Sequence, residues 1–182
     1  DAEVILPSKN HISGLDRIAE AANILGLSAE TRILNLQGDE PFMPLDIINN
    51  LTTNLSQESP IATACVPLSN PKEIESPSEV KVVRSLSKRA MYFSRSVIPH
   101  EFTSSHDGYL KHLGIYAYDN KTLQELAKLK PTPNELQEKL EQLRFLDHGY
   151  NIFVEDYNCE PPIGIDTPAD LERAIEFSKI HE

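Results

Sequence analysis

Strand-like and helix-like segments alternate along most of this chain, and that alternation limits the folds open to it more than any other feature. "GLDRIAEAANILGL" places Ile18, Ala21, Ala22 and Leu25 at helical spacing, and the apolar strand "RILNLQ" follows. "LDIINNLTTNLSQ" returns to the helical period through Ile47, Ile48, Leu51 and Leu55, ahead of the strand-like "IATACVPL", which Pro67 closes. "NPKEIESPSE" reads as loop or a short helical turn. "VKVVRSL" and "AMYFSRS" read as a strand pair, and the link Ser87-Lys88-Arg89 is short enough for a hairpin. After the polar loop "PHEFTSSHDG" come the strand "LKHLGIYAYD" and two helices, "KTLQELAKL" and "NELQEKLEQLRFLDHG". The strand "NIFVEDY" and the helix "TPADLERAIEFSKIH" finish the pattern, with Thr167 as N-cap and Pro168 at the first helical position. This mixture predicts an α/β fold with a mainly parallel sheet flanked by helices and an antiparallel strand insertion. No repeat, low-complexity tract or flexible linker interrupts it, so residues 1–182 read as a single domain long enough to bury a core.

Charge and cysteine usage narrow the partners. A net charge of −11 opposes a nucleic-acid backbone or an anionic membrane surface. Phosphate ligands stay open, because a metal ion inverts the local field. No apolar run approaches the roughly 20 residues of a membrane span, and the start shows no signal-peptide pattern. Cys65 and Cys159 have no metal-type spacing. Cys65 lies inside "IATACV" and reads as a buried free thiol, which fits a reducing, cytoplasmic compartment.

The chemistry concentrates where strands run into acids. In "RILNLQGDEPFMP" the apolar strand gives way at once to Gln37, Gly38, Asp39, Glu40 and Pro41. Ligands of open α/β sheets bind beyond the carboxyl ends of strands, which is where a parallel strand here would put Asp39. Such a carboxylate suits Mg²⁺, which binds through one or two carboxylates plus substrate phosphates. It suits equally a plain turn cap. "PPIGIDTPADLERA" offers a second acid of this kind, Asp166, ahead of a helix start, where capping is again the alternative.

Several blocks in order along the chain, "LNLQGDEPFMP", "VKVVRSLSKRAMYFSRSVIP", "LKHLGIYAYDNKTL", "ELQEKLEQLRFLDHGYNI" and "GIDTPADLERA", together resemble the 3-deoxy-manno-octulosonate cytidylyltransferase family. The resemblance implies a Rossmann-like nucleotidyltransferase sheet. It implies cytidylyl transfer from CTP to the eight-carbon acid sugar 3-deoxy-manno-octulosonate, with release of pyrophosphate, in lipopolysaccharide biosynthesis. By the same resemblance Asp39 and Asp166 are the Mg²⁺ ligands and catalytic acids, and Gln37, His112, Tyr116, Glu141 and Gln142 contact the sugar. Ser13 and Gly14 of "HISGLDR" are nucleotide contacts, and a homodimer is implied, with the contact expected in the region from "SVIPHEF" to "HLGIYAY".

The residues' own pattern is compatible with these roles. His112, Gly114 and Tyr116 share one side of a strand. On a continuous helix Leu136, Leu140 and Leu143 make an apolar stripe, and Glu135, Glu138, Glu141 and Gln142 a polar one, either solvated or facing a polyhydroxyl ligand. Arg95 suits a bidentate pair with the sugar carboxylate or a structural ion pair, while Lys81 reads as structural.

The chain also departs from the family. It opens "DAEVILPS", with nothing like the basic "ARxxSTRLPGKPL" loop that holds the triphosphate; Leu15 stands where Thr is usual, and Ser78 where Asn is usual. The expectation is therefore an N-terminally incomplete nucleotidyltransferase that is inactive as it stands. The alternatives are a non-catalytic sugar-binding or dimerisation fragment, or a transferase for another sugar such as a nine-carbon sialic acid.

Overall fold

A computed structural model describes residues 3–11, 13–102, 108–165 and 167–180. Six strands form one sheet: β1 (Arg32–Asn35), β2 (Ile61–Leu68), β3 (Lys81–Arg84), β4 (Ala90–Ser94), β5 (Tyr109–Asp119) and β6 (Ile152–Asp156). The spatial order is β4-β3-β5-β2-β6, and β1 also pairs with β5. The helices are α1 (Gly14–Ile24), α2 (Leu45–Asn50), α3 (Pro71–Glu75), α4 (Asn120–Leu126), α5 (Pro133–Glu138), α6 (Gln142–Asp147) and α7 (Pro168–Ile180), with a 3₁₀ turn over Leu51–Asn54.

The α/β class holds, but the sheet is mostly antiparallel rather than mainly parallel. Among the described strands only β2 and β6 pair in parallel; β1, β2 and β3 all pair antiparallel with β5. The cause is the position of β5. β1 and β2 do run the same way, as the strand–helix–strand alternation predicts, but the 11-residue β5 lies between them and runs against both. The β3–β4 hairpin forms as expected, and its turn puts Lys88 at φ 59.

Both faces of the sheet are covered, so β2 is apolar on both sides. Ile61 and Cys65 face a core shared with Leu15, Ala19 and Ala22 of α1, Leu123 and Leu126 of α4, and Leu143 and Phe145 of α6. Ala62, Ala64 and Val66 face a second core with Ile47 of α2, Leu51, Leu113 and Ile115. The period-2 split of one strand between two cores fixes its register, because a one-residue slip would exchange every side chain.

The helix predicted from Asn134 to Gly149 is broken. α5 ends at Lys139, whose backbone is left-handed (φ 56, ψ 46), and α6 restarts at Gln142. The expected stripes fail with it. Leu136 is 55% exposed, while Glu135 is buried and grips Arg144 through two guanidinium hydrogen bonds, 2.8 Å from Nε and 2.5 Å from an Nη. A non-glycine residue in the left-handed region costs about 1–2 kcal/mol. Arg95 compensates by donating from Nε to the Glu138 carbonyl at 2.8 Å and from an Nη to the Pro77 carbonyl at 2.8 Å. Its own N–H donates to the Glu138 carboxylate at 3.0 Å, and the Ser94 hydroxyl to the same carboxylate at 2.6 Å. Lys81 is fully buried and donates to the carbonyls of Ser76, Glu79 and Arg95 at 3.0, 2.6 and 2.6 Å, so it is structural as expected.

Candidate active site

A cleft of about 500 Å³ opens on the sheet face that carries α1, α4 and α6. Gln37 and Glu40 reach it from the loop after β1, His112, Gly114 and Tyr116 from β5, and Glu141 and Gln142 from the α5–α6 junction. The five expected sugar residues Gln37, His112, Tyr116, Glu141 and Gln142 thus line one cavity. Arg95 does not line it; its guanidinium donates to the backbone carbonyls of Glu138, at the end of α5, and of Pro77, so its role is structural but through carbonyls, in place of the ion pair that was the expected alternative.

A β-bulge makes the β5 part of the site. β2 pairs Thr63 with Tyr116 but Ala64 with Leu113, so Gly114 and Ile115 are extra residues on β5. Bulges re-aim side chains, and here His112 and Tyr116 end on the cleft side of the bulge, their rings 5.5 Å apart. Gln37 packs over Gly114, where a Cβ would meet its Cγ at 3.7 Å, an ordinary contact.

The polar atoms are poorly satisfied within the chain. The Tyr116 hydroxyl and Glu141 Oε1 are buried without a hydrogen-bond partner. Burial pushes the Tyr116 phenol well above its ordinary range, and the nearby Glu141 carboxylate adds to the effect, so the phenol stays a proton donor. Burial also raises Glu141, against the Ser13 hydroxyl and the Arg144 guanidinium, which favour its charged form. Ser13 caps α1 through the Asp16 N–H at 3.3 Å, which places the candidate nucleotide contacts Ser13 and Gly14 at the helix start beside Glu141. Leu15, at the family's usual Thr position, is buried in the core under α1.

The acid loops meet. The Ile165 N–H donates to the Asp39 carbonyl at 2.8 Å, and a Cβ on Gly164 would sit 3.4 Å from Glu40 Oε1. The "PPIG" segment therefore packs on the "QGDEP" loop. Asp39 is exposed there; Asp166 lies outside the described residues. No group of three or more His, Cys, Asp or Glu side chains able to hold a metal occurs among the described residues. Of the two expected ligands the described residues include only Asp39, an exposed carboxylate of the hard-oxygen type that Mg²⁺ takes together with phosphates and water. Thr167 and Asp170 bond reciprocally at the start of α7, with the Thr167 N–H donating to Asp170 Oδ2 at 2.8 Å.

Sequence reasoning missed two cations of the cleft, Lys111 and Arg173. Each is already paired, Lys111 with Glu79 at 2.6 Å and Arg173 with Asp170. It also missed Thr63, which is fully buried and bonds His112. Alternation along "LKHLGIYAYD" can flag Lys111 as a neighbour of His112 but not its direction; nothing local distinguishes Thr63 from the rest of "IATACV".

Comparison with known proteins supplies the context for this geometry. A family model described as cytidylyltransferase matches residues 1–154. The 3-deoxy-manno-octulosonate cytidylyltransferase of Polynucleobacter necessarius subsp. necessarius is 45% identical over 180 residues, covering 96% of this chain and 71% of the relative. The enzyme of that name from Psychromonas ingrahamii is 40% identical over 189 residues, covering 97% and 74%. A solved structure of CMP:2-keto-3-deoxy-manno-octonic acid synthetase complexed with CTP superposes with a TM-score of 0.88 at 37% identity, over 98% of this chain and 73% of that one. A putative glucose-1-phosphate thymidylyltransferase from Bacillus anthracis, at 16% identity and a TM-score of 0.56, shares the fold alone. With the match running through both the sheet and the cleft-bearing loops, the chain belongs to the cytidylyltransferase family, among the 3-deoxy-manno-octulosonate cytidylyltransferases.

Proposed function

We propose that this chain carries the sugar site and metal-binding acids of a Mg²⁺-dependent transferase that joins the cytidylyl group of CTP to 3-deoxy-manno-octulosonate and releases pyrophosphate. The observation that carries the reading is the cleft itself, which gathers Gln37, His112, Tyr116, Glu141 and Gln142 and leaves the buried Tyr116 hydroxyl and Glu141 Oε1 without a hydrogen bond, the latter only in a 3.8 Å ion pair with Arg144. A buried unpaired polar atom costs about 1–3 kcal/mol, a cost that a polyhydroxyl ligand removes on binding. In the reaction the sugar hydroxyl attacks the α-phosphorus, the bond to the β-phosphate oxygen breaks, and the hydroxyl proton is lost. The chain's residues act mainly by holding the two substrates in line. Asp39 and Asp166 would hold Mg²⁺, which supplies charge neutralisation for the phosphates.

We expect the 182-residue chain alone to give no measurable turnover. The cleft lining carries Glu40, Glu73, Glu79, Glu141 and Asp170 against two cations, both already paired, a poor field for a triphosphate. Grafting on the section of the Polynucleobacter relative that this chain does not cover should restore activity. The protein would act in the cytoplasm, within lipopolysaccharide biosynthesis, as a homodimer. The exposed apolar side chains of Met91 in β4 and of Val97 and Phe102 in the segment after it support that assembly, and sedimentation at increasing concentration tests it.

The deciding experiment measures pyrophosphate release from CTP, the octulosonate and Mg²⁺ by the grafted enzyme. Asp39→Asn and Asp166→Asn should each lower the rate more than ~100-fold while the circular dichroism spectrum stays unchanged. Near-normal turnover by either variant would remove that residue from the metal site.

A further inference from the structure

Thr63 makes three contacts from one hydroxyl. Its Oγ1 lies 2.7 Å from the Ile115 carbonyl, 3.3 Å from the Leu113 carbonyl and 2.9 Å from His112 Nε2. All four residues meet at the bulge, where Gly114 and Ile115 drop out of the β2–β5 pairing. A hydroxyl has one proton, and a carbonyl oxygen can only accept. At 2.7 Å the proton must lie between Thr63 Oγ1 and a carbonyl oxygen, or two lone pairs would face each other. The remaining contact then has one solution: Nε2 carries the ring proton and donates it to Thr63 Oγ1. The imidazole is neutral, because burial holds its basicity down to about 3, so Nδ1 bears no proton. Nδ1 is the ring nitrogen left for a ligand, and His112 lines the cleft.

We propose that Thr63 is a positioning residue that locks His112 in the Nε2–H tautomer and thereby presents Nδ1 to the cleft as a hydrogen-bond acceptor, selective for a ligand hydroxyl and against a ligand carbonyl or carboxylate. The proposal rests on the sugar-site reading of His112 and deepens it: the ring discriminates hydroxyl from oxyanion at its position. Thr63 does this from the neighbouring strand and does not itself line the cleft. The bulge supplies the means. Displacing Gly114 and Ile115 frees carbonyls from the ladder, and the same hydroxyl that satisfies the Ile115 carbonyl is thereby forced to accept from the ring.

The test is nitrogen NMR on the 182-residue chain with labelled histidine, using long-range proton–nitrogen correlations that separate the two tautomers, with His112→Asn to assign the signals. The unsubstituted chain should show Nε2–H at His112. Thr63→Ser should keep it, and Thr63→Val, similar in shape without the hydroxyl, should move the ring to a mixture or to Nδ1–H. A proton on Nδ1 in the unsubstituted chain overturns the proposal even if Thr63→Val does not fold, and so does an unchanged Nε2–H tautomer in folded Thr63→Val. A purely structural threonine would lower the melting temperature in that variant without moving the tautomer. Calorimetric titration with 3-deoxy-manno-octulosonate separates the two levels of the argument. Binding should weaken roughly tenfold in Thr63→Val and recover in Thr63→Ser. If the tautomer moves as expected while sugar affinity is equal in all three chains, Thr63's hold on the ring stands and the sugar reading of His112 falls.

Discussion

His112 shows how burial turns a titratable residue into a fixed one. Packed edge-on against Phe93 with ring centroids 4.9 Å apart, bonded to Thr63 and only 8% exposed, it is largely cut off from the water that a cationic ring would need. Its basicity in the folded chain is about 3, against 6.5 for an ordinary histidine. The unfolded chain therefore binds a proton that the folded chain refuses between those values. Stability from this residue is complete above about pH 6.5 and is lost as the pH falls toward 3, with a slope near 1.4 kcal/mol per unit in the middle of the range. Urea unfolding at about pH 7 and pH 5 should show a smaller loss for His112→Gln than for the parent chain. Equal losses would mean that the ring is protonated in the folded state. At this scale the sugar residues His112, Tyr116, Glu141 and Gln142 were legible through the resemblance of their blocks to a known family, while their own spacing left structural and binding roles equally open. The sequence was silent on Thr63, because its function depends on a bulge that only the β2–β5 register creates.

The α5–α6 break is the element that turns Glu141 and Gln142 toward the cleft. The period of "NELQEKLEQLRFLDHG" favours one helix, and no glycine or proline interrupts it. What stops it is a residue far away in sequence. Arg95 holds the Glu138 carbonyl, and Glu138 in turn holds the end of β4, while Leu140 is drawn into the core and Glu135 is retained by Arg144. A capping partner more than forty positions distant leaves no local trace. Lys139 bears the conformational cost, so Lys139→Gly should stabilise the protein by about 1 kcal/mol, since glycine enters the left-handed region freely. That corresponds to a rise of roughly 2–4 °C in melting temperature for a chain of this size. A fall instead would show that the lysine side chain contributes packing that outweighs its backbone strain. The short α2 has a related explanation: the helical pattern of "LDIINNLTTNLSQ" is real, but Leu51–Asn54 tighten into a 3₁₀ turn as Leu51 enters the second core.

Over the whole molecule, alternation of strands and helices correctly gave a sheet flanked by helices but the wrong dominant direction of pairing, mainly parallel where the structure is mostly antiparallel. That direction depends on β5, which follows the β3–β4 hairpin in the chain and lies between β1 and β2. The cleft follows from this arrangement, because β5 brings the bulge beside the loop after β1. The field around the cleft is acidic, in a chain of net charge −11. Association with CTP should therefore depend on a divalent cation: in the grafted enzyme, calorimetry should detect CTP binding with Mg²⁺ and lose it after chelation, with recovery on adding the metal back. Binding that survives chelation would place the triphosphate on protein cations instead.

Cys65 gives the fold a built-in clock. Its side chain is fully enclosed in the central strand, and burial pushes the thiol up to about 11, so at neutral pH it is neither reachable nor ionised. Cys159 is only half-buried, just beyond β6. A thiol-specific reagent under native conditions should consume Cys159 first and Cys65 much later, at a rate set by how often β2 leaves its two cores rather than by reagent concentration. Mass spectrometry of quenched samples would time that opening in ordinary buffer, and a ligand seated in the cleft would lengthen the interval, since it binds only the closed sheet.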